Sequence, residues 1–125
     1  MILDTNALSA FVDGDAGVGD ILRRENRAAI PVIVLGEFRY GIWDSRHRAA
    51  YEKWLDDHLS GFEILTVTED TAVVYAAMHF ALKQAGHPIP ANDAWIAALA
   101  LQHRLPILSR DQHFDSVRGL RRRDW

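Results

Sequence analysis

Short apolar runs alternate with stretches of helical hydrophobic spacing along this chain. The short runs are rich in aliphatic and β-branched residues and suit buried strands, whereas apolar residues three or four positions apart predict amphipathic helices. The predicted strands cover residues 1–3, 29–34, 62–67, 105–109 and, as a possible last strand, 120–122. The predicted helices cover residues 7–12, 18–26, 35–43, 46–59, 68–85 and 92–103. This alternation predicts an α/β protein, a three-layer α/β/α fold with a central parallel sheet.

The clearest boundary signals surround the helix predicted over residues 68–85. Thr68 supplies an N-cap, Glu69 begins an acidic first turn, and Gly86 ends the helix. Thr71 lies three residues after Thr68 but is not the Glu or Gln of a capping box. The sequence therefore predicts a simple cap at this helix start and not a reciprocal one.

The composition fits one ordinary globular domain, residues 1–125. The chain has 125 residues, of which 49% are hydrophobic and 25% charged, and it has no cysteine. A disulfide framework and thiolate chemistry are thereby excluded, which favours a reducing compartment. Neither a secretory signal nor an apolar run of bilayer length is present. We therefore expect a soluble, cytoplasmic protein that makes no membrane contact.

The net charge of −3 gives the chain no overall attraction for nucleic acids. Any contact with RNA or DNA must therefore come from a local basic patch. One arginine cluster lies near the C-terminus and consists of Arg110, Arg118, Arg121, Arg122 and Arg123. These arginines can hold phosphates, or they can form a solvated tail.

Four acidic residues occupy positions that are typical of a functional site. Asp4 directly follows the first predicted strand, and Asp111 closely follows the strand predicted over 105–109. Parallel α/β sheets bind ligands beyond the carboxyl ends of such strands. Asp93 lies in the first turn of a predicted helix, where the positive helix end favours its ionised form. Glu37 lies on a mainly apolar helix face, which is unusual for an acid.

Carboxylates that meet in one cleft repel one another unless a cation neutralises them. Ligation by oxygen alone points to Mg²⁺ or Mn²⁺ and not to zinc, and carboxylate-held Mg²⁺ suits phosphodiester hydrolysis. The six histidines contain no pair at metal-ligand spacing. We interpret them as surface or partly buried residues, with substrate contact as the alternative for His113.

Each acid also has a structural interpretation. Asp4 can cap the turn after its strand, and Glu37 can pair with a nearby arginine. Asp93 can be an acidic first-turn residue of a helix capped by Asn92, and Asp111 can be an ordinary turn acid. Spacing alone leaves both interpretations open, because 17 acidic residues in a small domain offer many accidental groups of four.

Four segments, in order, give the sequence a resemblance to a known family. They are Leu3–Asn6 (LDTN), Val34–Glu37 (VLGE), Asn92–Ala98 (NDAWIAA) and Leu108–Phe114 (LSRDQHF). The chain resembles the PIN-domain family and, within it, the VapC-type toxins of VapBC toxin–antitoxin modules. Any one segment is a weak signal, but their order and the chain length make the match specific, and it covers nearly the whole chain.

The resemblance implies roles for individual residues. The catalytic, metal-binding carboxylates would be Asp4, Glu37, Asp93 and Asp111. Thr5 would form a hydrogen bond near the metal, and Asn6 would brace the loop. Ser9 and Ser109 are interpreted as local caps, since serines near turns usually bond to the backbone. Asp115 is a less certain fifth acid outside the core set.

The resemblance also implies partners and a substrate. It implies a homodimeric endoribonuclease with Mg²⁺ or Mn²⁺ and no organic cofactor, acting as the toxin of a type II toxin–antitoxin system. A small VapB-type antitoxin would place its tail in a groove beside the acids. Phe38, Tyr40 and Trp43 can line that groove, although packing is their default interpretation. Relatives cut structured RNA, often tRNA or rRNA at exposed loops.

Other classes of α/β protein fit less well. A response-regulator receiver needs a lysine at a late strand end, whereas the only lysines are Lys53 and Lys83. A haloacid-dehalogenase-like phosphatase needs an acid two residues after its nucleophilic aspartate, and Asn6 stands there. Two alternatives stay open, a PIN-fold RNA-processing nuclease without a toxin role and a PIN-fold binding protein without catalysis.

Overall fold

The structure, a computed structural model, describes all residues from 1 to 125 and contains a five-stranded parallel sheet flanked by helices. The strands are β1 (Ile2–Leu3), β2 (Ala29–Pro31), β3 (Glu63–Leu65), β4 (Ile107–Leu108) and β5 (Arg122–Arg123). The helices are α1 (Thr5–Val12), α2 (Ala16–Arg23), α3 (Val32–Gly41), α4 (Arg48–His58), α5 (Glu69–Gln84) and α6 (Ala91–His103). Two 3₁₀ helices cover Leu59–Gly61 and Gln112–Ser116. The predicted α/β/α fold with a central parallel sheet is confirmed.

The strand order creates a crevice in the middle of the sheet. The order is β3-β2-β1-β4-β5, so the chain builds outward from β1 to β3 and then crosses to the other side of β1. The reversal lies between β1 and β4, where Leu3 is in register with Leu108. The loops that leave these two strands therefore begin side by side, which is the geometry of a ligand-binding switch point.

The two central strands lie in the hydrophobic core. Ile2, Leu3, Ile107 and Leu108 have no exposed surface. The middle of α6, an alanine-rich segment over residues 94–100, is buried almost all round. Small side chains allow this helix to pack closely against its neighbours, so the first turn of α6 is held rigidly near the crevice. None of the helices combines the length and apolarity that crossing a bilayer requires.

The second strand is shorter than the sequence predicted. The run of β-branched residues favours a strand over 29–34, but β2 ends at Pro31 and α3 begins at Val32. The helical conformation is favoured over the strand here because Val34 and Phe38, four residues apart, are both buried on the inner face of α3. Tertiary packing thus outweighs local β propensity.

The prediction that Thr71 takes no part in a reciprocal cap is wrong. The backbone N–H of Thr68 donates to Thr71 Oγ1 over 3.0 Å, so a threonine performs the role of the Glu or Gln. Thr71 is fully buried, and its hydroxyl also donates to Gln102 on α6. This bond ties the start of α5 to α6.

Two aromatic residues of the third helical segment are not packed in the core, contrary to their default interpretation. Tyr40 is 85% exposed and Trp43 is 64% exposed, whereas Phe38 is buried. α3 ends at Gly41, so Trp43 no longer follows the helical periodicity that predicted its burial. The Arg48 guanidinium lies 3.6 Å above the Trp43 ring and covers part of it.

Candidate active site

The structure brings the four predicted acids to the crevice between β1 and β4. Asp4 follows β1 directly, and Asp111 is the N-cap of the 3₁₀ helix that follows β4. Glu37 approaches from α3, and Asp93 approaches from the first turn of α6. The carboxylates of the other three acids all raise the pKa of Asp93 by repulsion, which places the four in one electrostatic cluster.

Asp4 is the most enclosed of the four acids, with 4% of its surface exposed. Its Oδ2 accepts hydrogen bonds from Ser109 Oγ over 2.7 Å and from Asn6 Nδ2 over 3.0 Å. Burial raises its pKa above the usual value, and the bond from Ser109 opposes that rise. Asp4 stands at the N-cap position of α1, and a contact from the Thr5 backbone also lowers its pKa, but its side chain makes no regular capping hydrogen bond to the helix.

Ser109 connects the loops that leave β1 and β4. Besides donating to Asp4, its hydroxyl accepts from the backbone N–H of Asp111 over 2.9 Å. Asn6 supports the same loop, because its Oδ1 accepts from the backbone N–H of Arg110 over 3.2 Å. The local-cap interpretation of Ser109 is therefore incomplete, since the side chain also orients an acid 105 residues away in the chain.

We predict that Ser109→Ala destabilises the protein by about 1–3 kcal/mol, because it leaves a buried carboxylate oxygen and a backbone N–H short of partners. The variant also removes the bond that holds down the pKa of Asp4, so that pKa should rise further. Urea denaturation measures the first effect. Ser60→Ala, at an exposed position, is the matched control and should change stability by less than about 0.5 kcal/mol; equal effects of the two substitutions would contradict the prediction.

Glu37 is held by a threonine and not by an arginine. Thr5 Oγ1 donates to Glu37 Oε1 over 3.0 Å. Glu37 forms no salt bridge with Arg39 or Arg46, so the proposed structural pairing is not observed. Its carboxylate stays available for other ligands.

Asp93 has the largest pKa shift of the four acids. Burial, followed by repulsion from Asp4 and Asp111, raises its pKa to about 6. The sequence predicted that the helix N-terminus would favour the ionised form. In the structure, burial and like charge outweigh the effect of the helix dipole on the pKa of Asp93.

The residue that precedes α6 is Pro90 and not Asn92, so Asn92 does not cap the helix.

His113 is the feature of the site that the sequence least emphasised. Its Nδ1 lies 3.0 Å from Asp111 Oδ1 and 3.4 Å from Asp93 Oδ2. One ligand atom from each of the three residues lies within 4.8 Å of the others. The sequence signal for this placement was that His113 lies two residues after Asp111. The 3₁₀ helix that Asp111 caps turns the His113 side chain toward the crevice. Asp111 Oδ1 also caps that helix by accepting from the His113 N–H over 2.9 Å, so its turn interpretation is correct in part.

The donor set fits a hard divalent cation. Four carboxylates share one crevice, two of them have raised pKa values, and none forms a salt bridge with lysine or arginine. Such a cluster gains stability when a cation neutralises it, and carboxylate oxygens are preferred ligands of Mg²⁺ and Mn²⁺.

Asp115 points to a different partner. It forms a two-pronged ion pair with Arg122, with nitrogen–oxygen distances of 2.7 and 2.9 Å, which lowers the pKa of Asp115. Arg122 also donates to the Ser109 carbonyl over 2.9 Å. Asp115 therefore supports the loop after β4 through an arginine.

The C-terminal arginine cluster is divided between internal pairs and free side chains. Arg122 is occupied by Asp115, and Arg123 lies 3.4 Å from Glu25. Arg110 stacks on the Trp125 ring at 4.3 Å. The remaining two, Arg118 and Arg121, are exposed and make no salt bridge. Phosphate contact from this region would therefore come mainly from those two side chains.

A groove extends from the acids along α1 and α3. Its volume is about 300 Å³, and it begins at Thr5 and Glu37 and reaches Asp13 and Tyr51, which are hydrogen-bonded over 3.1 Å. Ser9 lines the wall of this groove. The site is thus open on the side of α3.

The chain belongs to the PIN-domain family, whose sequence model, described as "PIN domain", matches residues 1–120. The resemblance of the four sequence segments is thereby confirmed. Ribonuclease VapC5 of Mycobacterium tuberculosis is 29% identical over 121 residues, which cover 94% of this chain and 87% of that protein. Ribonuclease VapC2 of Rickettsia felis is 28% identical over 129 residues, which cover 99% of this chain and 96% of that protein.

Solved structures agree with these relatives. VapBC2 from Rickettsia felis, bound to a DNA fragment from its promoter, contains a chain with a TM-score of 0.90 and 26% identity, covering 99% of this chain and 97% of that one. FitAcB from Neisseria gonorrhoeae has a TM-score of 0.85 at 26% identity, covering 97% and 94%. A toxin–antitoxin complex from Klebsiella pneumoniae also contains a similar chain, with a TM-score of 0.76 at 26% identity, covering 95% of this chain and 93% of that one.

Proposed function

We propose that this chain is a Mg²⁺- or Mn²⁺-dependent endoribonuclease, a single catalytic domain that acts in the cytoplasm as the toxin of a type II toxin–antitoxin pair. The observation that carries the catalytic part is the convergence of Asp4, Glu37, Asp93 and Asp111 at the switch point of the sheet without a lysine or arginine partner. The names of the relatives, ribonucleases of the VapC type, support RNA as the substrate.

The four acids would hold the metal, and the surrounding residues would hold the acids. Ser109 and Asn6 fix the buried carboxylate of Asp4, and Thr5 fixes that of Glu37. When bound, Mg²⁺ or Mn²⁺ supplies positive charge that activates water and stabilises the charge developing on the phosphate. The protein contributes a preorganised cluster of oxygens that does not need to rearrange during the reaction.

The substrate we propose is an exposed loop of tRNA or rRNA. We propose that a single strand enters the groove along α1 and α3, whose volume is about 300 Å³. Specific RNA recognition generally targets such unpaired, splayed bases. Exposed Arg118 and Arg121 can add phosphate contacts in a chain whose net charge is −3.

We further propose that a VapB-type antitoxin covers the groove beside the acids and that two copies of the chain form a homodimer. The antitoxin proposal is supported by the VapBC complexes among the structural relatives. It is also supported by the exposed rings of Tyr40 and Trp43, which line a neighbouring depression that meets the groove at Gly41. The dimer is supported by Val73 and Phe80, seven residues apart on α5, which are 69% and 62% exposed. Apolar side chains in such a row favour a protein contact.

The proposal predicts cleavage of structured RNA in Mg²⁺ or Mn²⁺ and no cleavage in excess chelator. The double variant Asp4→Ala, Asp93→Ala should be folded and inactive. A gel assay on total tRNA and rRNA, with circular dichroism as the folding check, measures both results. Equal cleavage by the folded double variant would refute the assignment of catalysis to this site.

Growth after induced expression separates the toxin from a general RNA-processing nuclease. Expression of the active chain should arrest growth, and expression of the double variant should not. Normal growth together with confirmed RNA cleavage would favour the processing enzyme. Metal binding without cleavage of any RNA would favour the non-catalytic binding protein.

A further inference from the structure

We propose that His113 supplies a ring nitrogen to the divalent ion held by Asp93 and Asp111, and that this nitrogen gives the chain a preference for Mn²⁺ over Mg²⁺. The inference rests on the proposed metal-dependent function. It replaces the all-oxygen site that the sequence predicted with a mixed nitrogen and oxygen donor set.

The distances between donor atoms fit adjacent ligands of one ion. Nδ1 of His113 lies 3.0 Å from Asp111 Oδ1 and 3.4 Å from Asp93 Oδ2. Two ligands bonded at about 2.1 Å lie about 3.0 Å apart in an octahedral shell and about 3.4 Å apart in a tetrahedral one. The third pair, the Asp93 and Asp111 carboxylates, lies within 4.8 Å. The three side chains are therefore close enough to bind one ion.

The same distances also suit a hydrogen bond from the ring to the two carboxylates. The surroundings favour ligation, because His113 is the only basic side chain that contacts Asp93 or Asp111. Arg110, next to Asp111 in the chain, turns instead to Trp125. One exposed imidazole cannot neutralise the charge of four carboxylates. Most of that negative charge therefore remains to attract a metal ion.

The backbone holds the imidazole in place. His113 lies in the 3₁₀ helix Gln112–Ser116, whose start is capped by Asp111. The next residue, Phe114, is fully buried and anchors this short helix to the core. The ring itself is 54% exposed, so the side of the ion facing solvent would stay open to water and a phosphate oxygen.

The nitrogen ligand changes which ion the site prefers. Mg²⁺ strongly favours oxygen ligands and keeps several waters, whereas Mn²⁺ binds nitrogen donors more readily. Removal of the imidazole nitrogen should therefore weaken Mn²⁺ binding about tenfold and leave Mg²⁺ binding nearly unchanged.

The experiment compares metal binding by untagged wild-type protein, His113→Gln and His87→Ala, without RNA. Glutamine keeps a polar, hydrogen-bonding side chain but offers oxygen and not a ring nitrogen, and His87 is an exposed histidine outside the site. Pulsed electron paramagnetic resonance of bound Mn²⁺ detects a directly coordinated nitrogen, and titration with Mg²⁺ as competitor gives the affinity ratio. We expect nitrogen coupling in the wild type and in His87→Ala but not in His113→Gln, and a preference for Mn²⁺ over Mg²⁺ that is about tenfold smaller in His113→Gln than in the other two proteins.

The outcomes separate this inference from the proposed nuclease. Mn²⁺ bound without nitrogen coupling, or an affinity ratio that His113→Gln leaves unchanged, would overturn the inference while metal-dependent RNA cleavage could still be observed. Nitrogen coupling that disappears only in His113→Gln would support it even if no RNA is cleaved. Absence of any Mn²⁺ or Mg²⁺ binding would overturn both.

Discussion

Asp93→Asn is expected to reduce RNA cleavage by about 10²–10³-fold, because it removes a negatively charged ligand from the cluster that would hold the metal. The substitution keeps the size and most of the hydrogen-bonding shape of the side chain. The backbone of α6 should therefore be unchanged, since its middle is buried independently of this residue. The loss should appear in the rate of RNA cleavage at saturating Mg²⁺.

The same substitution is expected to stabilise the metal-free protein at neutral pH. In the folded chain the pKa of Asp93 is about 6, above its ordinary value of 3.8, so its ionisation opposes folding. Below about pH 4 the group is protonated in both states, and the variant should have no advantage. As pH rises through 6 the folded wild type loses stability, and the variant should become more stable by about 1–2 kcal/mol once solvent screening reduces the full shift.

Chemical denaturation in chelator at pH 4 and at pH 7.5 measures this difference. Asp56→Asn, at an exposed position on α4, is the matched control and should give no comparable gain at either pH. Addition of Mg²⁺ should stabilise the wild type more than Asp93→Asn, because only the wild type keeps all four ligands. A variant that is less stable than the wild type at pH 7.5 in chelator would contradict burial and carboxylate repulsion as the causes of the raised pKa of Asp93.

The sequence predicted the part of the site that strand topology determines. Asp4 and Asp111 follow apolar strands, and parallel pairing of β1 with β4 brings the ends of both strands to one edge. The placement of Asp93 and Glu37 needed the family resemblance, because many helices carry an acid in the first turn or on one face. Helical periodicity alone cannot say which helix packs beside the crevice.

Other features depended on contacts between distant residues. The bond between Ser109 and Asp4 joins positions 105 residues apart, and no local pattern reveals it. Helix ends also could not be predicted from local sequence alone. Pro31 and the buried side chains of Val34 and Phe38 determine where β2 ends and α3 begins. The exposure of Trp43 followed from the other end of α3, at Gly41, since an aromatic residue beyond a helix end no longer follows the helical period.

Phe114→Ala is expected to lower the free energy of unfolding by about 3–5 kcal/mol, a large share of the roughly 5–15 kcal/mol that a domain of this size has. Phe114 has no exposed surface and is among the largest fully buried side chains. It also lies between His113 and Asp115 in the 3₁₀ helix that Asp111 caps. The lost packing should therefore loosen the loop of the site as well as the core.

Urea denaturation at pH 7.5 would show this loss as a lower midpoint, with Phe114→Leu and Tyr40→Ala as controls. Leucine refills most of the cavity and should cost less than alanine does. Tyr40→Ala also removes an aromatic ring, but from a side chain that is 85% exposed, and should change stability by less than about 0.5 kcal/mol. If Phe114→Ala cost no more than Tyr40→Ala, the 3₁₀ helix would not be anchored by its phenylalanine, and the fixed position of His113 beside Asp111 would lose its structural basis.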